Sequence, residues 1–295
     1  MFKEDLLAGR HILVTGGGTG LGKSMTTRFL ELGAECTIWG RRQAVLEDTA
    51  AELAEATGGV VHADAVDIRD PQGIDAALDR IWQRKPLTGL VNNAAGNFIS
   101  RTEDLSPRAF DAIASIVFHG TFYVTNGCAK RWIEAGERAS VISILTTWVW
   151  SGSPFVVPSA MSKSGVAAMT QSLAVEWGPK GLRFNAIAPG PFPTKGAWER
   201  LNPMSSGDGG SQGGIQTNPM RRVGEHSELG NLAAFLMADE VAYINGEVIA
   251  IDGGHWLNNA GTFAQLWSLT DEQWGQIREM IQSANQKDKA QRVKG

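Results

Sequence analysis

The sequence predicts a doubly wound α/β fold, a single parallel sheet of seven strands with helices on both faces, in one domain followed by a C-terminal extension. Short apolar runs at 11–15, 35–39, 60–63, 87–91, 140–144, 182–187 and 247–251 read as buried strands. Longer segments with apolar residues every three or four positions separate them, and this alternation is the pattern of a parallel sheet covered on both sides. With 295 residues and 43% hydrophobic composition, the chain is long enough to bury one large core.

The first run passes directly into Thr15-Gly16-Gly17-Gly18-Thr19-Gly20-Leu21-Gly22-Lys23, and a helix-compatible segment follows. Glycines let a backbone approach a pyrophosphate closely, and the free N–H groups and positive end of the helix attract its charge. A glycine pattern that follows a strand and opens a helix is the dinucleotide-binding context of a Rossmann fold. Its candidate contacts are Gly16, Thr19, Gly20, Leu21 and Gly22.

Near the end of the second run, an acidic residue would favour the ribose hydroxyls of NAD. The sequence has Gly40-Arg41-Arg42 there, and a guanidinium pairs well with a 2′-phosphate. Arg41 is the candidate phosphate ligand, and NADP(H) the expected cofactor.

Ser106 followed by Pro107 marks a helix start, and Phe110, Ile113, Val117 and Val124 continue a helical stripe towards Trp132. A second stripe, Val166, Met169, Leu173 and Trp177, follows Pro158. Both read as core packing, and His119 within the first reads as a hydrogen-bonded core residue. Residues 201–219 are too rich in Gly, Ser and Pro for a regular element, so a flexible substrate loop is expected over 191–222. Beyond Gly254 a helix is expected at 270–283, then a polar tail that frays. The domain boundaries are thus 1–254 and 255–295.

Bulk properties exclude several classes. A net charge of −4 and a pI near 5.8 give no basic field for nucleic acid. Cys36 and Cys128 lie in a predicted strand and helix without companion ligands, so they read as buried thiols in a reducing compartment and no metal site is expected. No run approaches the ~20 apolar residues of a membrane span, and no leader precedes the first strand, so a cytoplasmic location is expected.

Taken together, Thr15-Gly16-x3-Gly20-x-Gly22, Asn92-Asn93-Ala94-Ala95-Gly96, Asn185, Pro189-Gly190-x3-Thr194 and Ile244-Asn245-Gly246 resemble the short-chain dehydrogenase/reductase superfamily over nearly the whole chain. The segments from Asn93 to Ser100 and from Phe155 to Ala160, with Pro189-Gly190-Pro191 leading to Lys195-Gly196-Ala197 and Arg200, are similar to 2,4-dienoyl-CoA reductases of unsaturated fatty-acid oxidation. The resemblance implies that Asp67 and Ile68 flank the adenine and that Asn93 and Ala94 line the cofactor groove. It places Pro189, Gly190, Phe192 and Thr194 at the nicotinamide end. Asn97 and Phe98 would touch the acyl thioester and Arg200 the CoA portion. It also implies a homotetramer built on the two long helices.

The superfamily carries a Tyr four residues before a Lys. Here the Lys is Lys163, which would also hold the cofactor ribose, and Ser159 stands in the Tyr position. A serine hydroxyl is far too weak an acid to replace a tuned phenol. Dienoyl-CoA reductases place their Tyr fifteen residues before the Lys, and that position is Trp148. Catalysis is therefore expected from Lys163, Ser159, Asn97 and Trp148, the amide and indole N–H groups sheltering charge on a thioester oxygen. The alternatives are a carbonyl or ketoacyl reductase of the same superfamily and an NADPH-binding protein without turnover.

Overall fold

The computed structural model describes residues 1–194, 218–260 and 264–292. Its strands are β1 (His11–Thr15), β2 (Glu35–Gly40), β3 (Val61–Ala65), β4 (Gly89–Asn92), β5 (Ala139–Ile144), β6 (Leu182–Pro189) and β7 (Val248–Ile251). All pair in parallel, in the order β3-β2-β1-β4-β5-β6-β7. The predicted seven-stranded doubly wound sheet is therefore what forms.

The helices are α1 (Gly20–Glu31), α2 (Gln43–Thr57), α3 (Pro71–Arg84), α4 (Pro107–Ala114), α5 (Thr121–Ala135), α6 (Trp148–Ser151), α7 (Val157–Trp177), α8 (His226–Met237), α9 (His255–Ala260) and α10 (Asp271–Arg292). Helices α1, α2 and α8 pack one face of the sheet through Met25, Phe29, Leu46, Leu53, Leu229 and Ala233. Helices α3, α5 and α7 cover the other through Ile74, Leu78, Val124, Cys128 and Leu173. Burial on both faces explains why the strands read as continuous apolar runs rather than alternating ones.

Local chemistry sets the helix starts. Ser106 accepts from the Ala109 amide at 3.2 Å with Pro107 behind it, and Asp70 before Pro71 accepts from the Gln72 amide at 3.1 Å. Between α4 and α5 the helix widens into a π-helical stretch, Ser115–Gly120. His119, in this stretch, is exposed beside the rings of Phe118 and Tyr123. The expected core role of His119 is overturned: it lies about 200° around the helix from buried Val117, on the exposed side.

Several buried polar groups of the sheet have partners, whereas Trp39 Nε1 and Asn92 Oδ1 have none among the described residues. His11 bonds the Lys85 carbonyl and the Thr37 hydroxyl, and Asn185 joins the Ile244 carbonyl to the Glu247 amide. Both cysteines are free and buried, and burial pushes their thiols up.

By contacts the chain forms two compact units, Met1–Trp256 and Leu257–Gly295. In the second, α10 continues to Arg292 instead of fraying after 283, in keeping with its Ala, Gln, Lys and Arg content. Among the described residues no helix is long and apolar enough to cross a membrane, and no group of three His, Cys, Asp or Glu could hold a metal ion.

Candidate functional site

The strand order reverses between β1 and β4, and ligands of open parallel sheets bind at the carboxyl ends of such neighbours. The two ends are stapled together. The Thr15 hydroxyl accepts from the Asn93 and Ala94 amides, each at 3.0 Å, while the Asn93 side-chain amide donates to the Thr15 and Gly16 carbonyls at 3.0 and 3.2 Å.

Gly22 enters this staple so closely that a Cβ would lie 2.4 Å from the Gly16 oxygen and 2.6 Å from Asn93 Nδ2. Gly20 has φ +55°, a left-handed conformation that favours glycine. Thr19 precedes α1 without a side-chain capping bond, so the first-turn amides lack that partner. These residues fit a pyrophosphate: a backbone cradle that any side chain at 22 would fill, at the positive end of a helix.

At the end of β2, Arg41 is exposed, and its side chain makes no ion pair or hydrogen bond among the described residues. Asp67 lies near enough to feel its charge but bonds Arg69 Nε through both oxygens, at 2.9 and 3.0 Å. Hydrogen bonds from Arg69 hold its carboxyl below the usual range. Ile68 is buried in the core, with its side chain against Gly120.

The expected catalytic residues come from three segments. Lys163 and Ser159 stand one turn apart on α7. Lys163 reaches to the end of β5, where Nζ donates to the Leu145 and Ile144 carbonyls at 2.9 and 3.3 Å. Those carbonyls offer no opposite charge, and burial pushes the amine down to about 8. Ser159 is 1% exposed, and its hydroxyl makes no hydrogen bond among the described residues.

Trp148 opens α6, half-buried, and its indole N–H has no acceptor among the described residues. Asn97 is also half-buried. Its oxygen accepts from the Phe98 amide at 2.9 Å, which leaves its NH2 free of described partners. The Ser100 amide donates to the Phe155 carbonyl at 2.9 Å, and this bond ties the loop of Asn97 and Phe98 to the link between α6 and α7. Phe155 sits at φ +64°, a strained conformation for a bulky residue. Nothing in its side-chain type signals that strain, so sequence reasoning missed it.

The nicotinamide-end candidates are held firmly where they are described. Gly190 donates to the Ile251 carbonyl at 3.0 Å, and Gly224 to the Pro191 carbonyl at 3.0 Å. Phe192 is buried in the core against Gly224, and Thr194 packs on Gly20. Arg200, with most of the expected loop, lies outside the described residues. Trp256 stacks on Trp150, with centroids 4.9 Å apart.

A family model described as Enoyl-(Acyl carrier protein) reductase matches residues 16–255. The chain belongs to the short-chain dehydrogenase/reductase superfamily. It is 44% identical to the "Probable 2,4-dienoyl-CoA reductase 3 [(3E)-enoyl-CoA-producing]" of Caenorhabditis elegans, over 98% of this chain and 94% of that protein. A solved short chain dehydrogenase from Bacillus anthracis is 39% identical, with a TM-score of 0.74 over 83% of this chain and 96% of that one. A Beutenbergia cavernae protein described as a putative NAD(P) dependent gluconate 5-dehydrogenase with bound NADP is 27% identical, with a TM-score of 0.79 over 86% and 99% of the two chains. Within this superfamily the chain resembles the 2,4-dienoyl-CoA reductases, and it is an oxidoreductase with a site for a nicotinamide cofactor.

Proposed function

We propose that the protein reduces conjugated, CoA-bound unsaturated acyl chains, 2,4-dienoyl-CoA esters, with NADPH. The observation that carries this reading is Ser159 in the superfamily's Tyr position, together with two half-buried N–H donors unspent among the described residues, on Asn97 and on Trp148, the latter a departure from the family's Tyr. A ketone reductase must protonate an alkoxide and needs an acid at this point. Reduction of a conjugated thioester instead moves charge onto the thioester oxygen, and neutral donors suffice to shelter it.

NADPH held in this groove would supply a hydride to a carbon remote from the carbonyl. Asn97 and Trp148 then donate to the dienolate oxygen, and a water returns a proton to carbon. Lys163 holds the ribose, Ser159 bonds near Lys163 or the thioester, and Arg41 pairs with the 2′-phosphate. Phe98 and Arg200 contact the acyl-CoA. Asp67, Ile68, Asn93, Ala94, Pro189, Gly190, Phe192 and Thr194 complete the cofactor groove. Phe118, Phe122, Met161 and Val175, apolar yet exposed on the two long helices, are the surfaces of the proposed homotetramer.

Profiling NADPH oxidation by the purified protein against dienoyl-, enoyl- and ketoacyl-CoA esters tests the reading. Turnover confined to dienoyl or enoyl esters is expected. Turnover of ketoacyl esters alone would make it a carbonyl reductase, and tight NADPH binding with no turnover a binding protein.

A further inference from the structure

We propose that His226 is a positioning residue that latches the nicotinamide end of the cofactor site to the glycine turn at its pyrophosphate end. The inference rests on the superfamily's nicotinamide cofactor occupying the groove described above.

His226 is the first residue of α8, and both of its ring nitrogens are engaged. Nε2 lies 2.7 Å from the Pro193 carbonyl oxygen. A carbonyl can only accept, so this nitrogen carries a hydrogen. Nδ1 lies 2.6 Å from the Ser24 hydroxyl, which is itself 3.1 Å from the carbonyl of Gly20, the first residue of α1. Thr194, next to Pro193, packs back onto Gly20, where an added Cβ would meet its methyl at 3.4 Å. The contacts close a ring through Gly20, Ser24, His226, Pro193 and Thr194.

The ring has a specific task. Up to residue 192 the chain after β6 is fixed by the core, through the bonds at Gly190 and Pro191 and the burial of Phe192. Pro193 is exposed and Thr194 half-buried, and these are the residues that His226 and Gly20 reach. The latch also stands on a rigid post. At the far end of α8, Arg183 donates to the Leu236 and Ala238 carbonyls at 2.9 and 3.1 Å, and Arg10 to the Met237 carbonyl at 2.9 Å. At the near end, Glu228 accepts from the Glu225 amide at 2.8 Å and pairs with Arg222. A histidine held this way fixes the distance between the two ends of the groove before any ligand arrives, so a dinucleotide that spans both ends gains affinity from pre-organisation.

Calorimetric titration of the full chain with two probes tests the latch. NADPH spans both ends, whereas adenosine 2′,5′-bisphosphate carries only the adenylate and 2′-phosphate. His226→Ala is expected to weaken NADPH by about tenfold, from the loss of its two side-chain hydrogen bonds, and to leave the fragment within about twofold of wild type. His226→Gln, which keeps an N–H donor, should recover most of the loss. Ser24→Ala should cost part of it, with the double variant His226→Ala/Ser24→Ala little worse than His226→Ala alone. Wild-type NADPH affinity in His226→Ala, or equal losses for both probes, would overturn the inference. A wild-type protein that binds neither NADPH nor NADH would instead overturn the cofactor reading itself; if it selects NADH, then NADH and 5′-AMP serve as the probe pair.

Discussion

Replacing Gly22 by Ala tests the cradle with a single methyl group. In an ordinary helix the change stabilises by about 0.8–1 kcal/mol, since Ala is the better helix former. Here the sign reverses. The added carbon would sit 2.4 Å from the Gly16 oxygen and 2.6 Å from Asn93 Nδ2, and both belong to the staple between β1 and β4. Carbon contacts are comfortable near 3.5 Å, so the backbone must retreat by about 1 Å. That retreat costs the two Asn93 bonds to Thr15 and Gly16, and it strains those that the Thr15 hydroxyl receives. At about 1 kcal/mol each, set against the helix gain, the net loss is roughly 1–3 kcal/mol. For a domain of this size that lowers Tm by roughly 2–5 °C. The methyl also fills the space into which a pyrophosphate must descend, so NADPH affinity should fall by about 100-fold, or ~2.7 kcal/mol. Thermal melts and fluorescence titration measure both. The same substitution at Gly275 in α10, where a Cβ meets nothing within 4 Å, should simply raise helicity. An unchanged Tm for Gly22→Ala, with NADPH affinity within about threefold of wild type, would refute the argument.

Arg41→Ala should weaken NADPH by roughly tenfold or more while sparing NADH, because only the former carries the phosphate a guanidinium would pair; competitive titration reads the ratio, and equal losses count against the role. Trp148→Phe keeps an aromatic wall and deletes the donor, so turnover of a dienoyl ester should drop about 100-fold with little change in KM, while Trp148→Tyr should keep or raise it. Unchanged turnover in Trp148→Phe would remove the indole from the mechanism. Stability should also carry a Lys163 signature. With the folded amine held to about 8 and the unfolded one at 10.5, the unfolded chain binds more protons between these values. Stability therefore rises as pH climbs through that window and is lost as it falls back. Chemical denaturation across the window should show that rise in wild type and not in Lys163→Met.

Much of the fold was legible because a parallel sheet writes itself in uninterrupted apolar runs: β1 has the predicted bounds, and β6 runs to Pro189, just past its predicted end at 187. The glycine turn was legible for a related reason, since close approach and a positive φ restrict residue choice at Gly20 and Gly22. What escaped depends on partners far away in the chain. No local pattern says that His226 meets Ser24 and Pro193, because a lone histidine after a glycine-rich stretch has no spacing to read. The π-helical stretch around His119 likewise has no signature in the sequence, because the apolar stripe of Ile113, Val117 and Val124 runs through it and stays buried.

The departure at Trp148 is easiest to understand through where this fold leaves polar groups unpaired. At the opposite, amino-terminal end of the strands, buried His11 has both ring nitrogens bonded, which avoids the cost of an unmet buried polar group, about 1–3 kcal/mol. Beyond the end of β5 the accounting differs. The Thr146 hydroxyl is buried without a partner, and the indole N–H of Trp148 and the NH2 of Asn97 have none among the described residues. Donors kept free in this way need not be stripped from another acceptor when charge develops, which is what makes pre-organised hydrogen bonds effective against an oxyanion. A tyrosine at 148 could add a proton to such a set. For a dienolate, whose proton goes to carbon, that addition is dispensable, so under the proposed chemistry replacing the phenol with an indole changes the donor and leaves the electrostatic task intact.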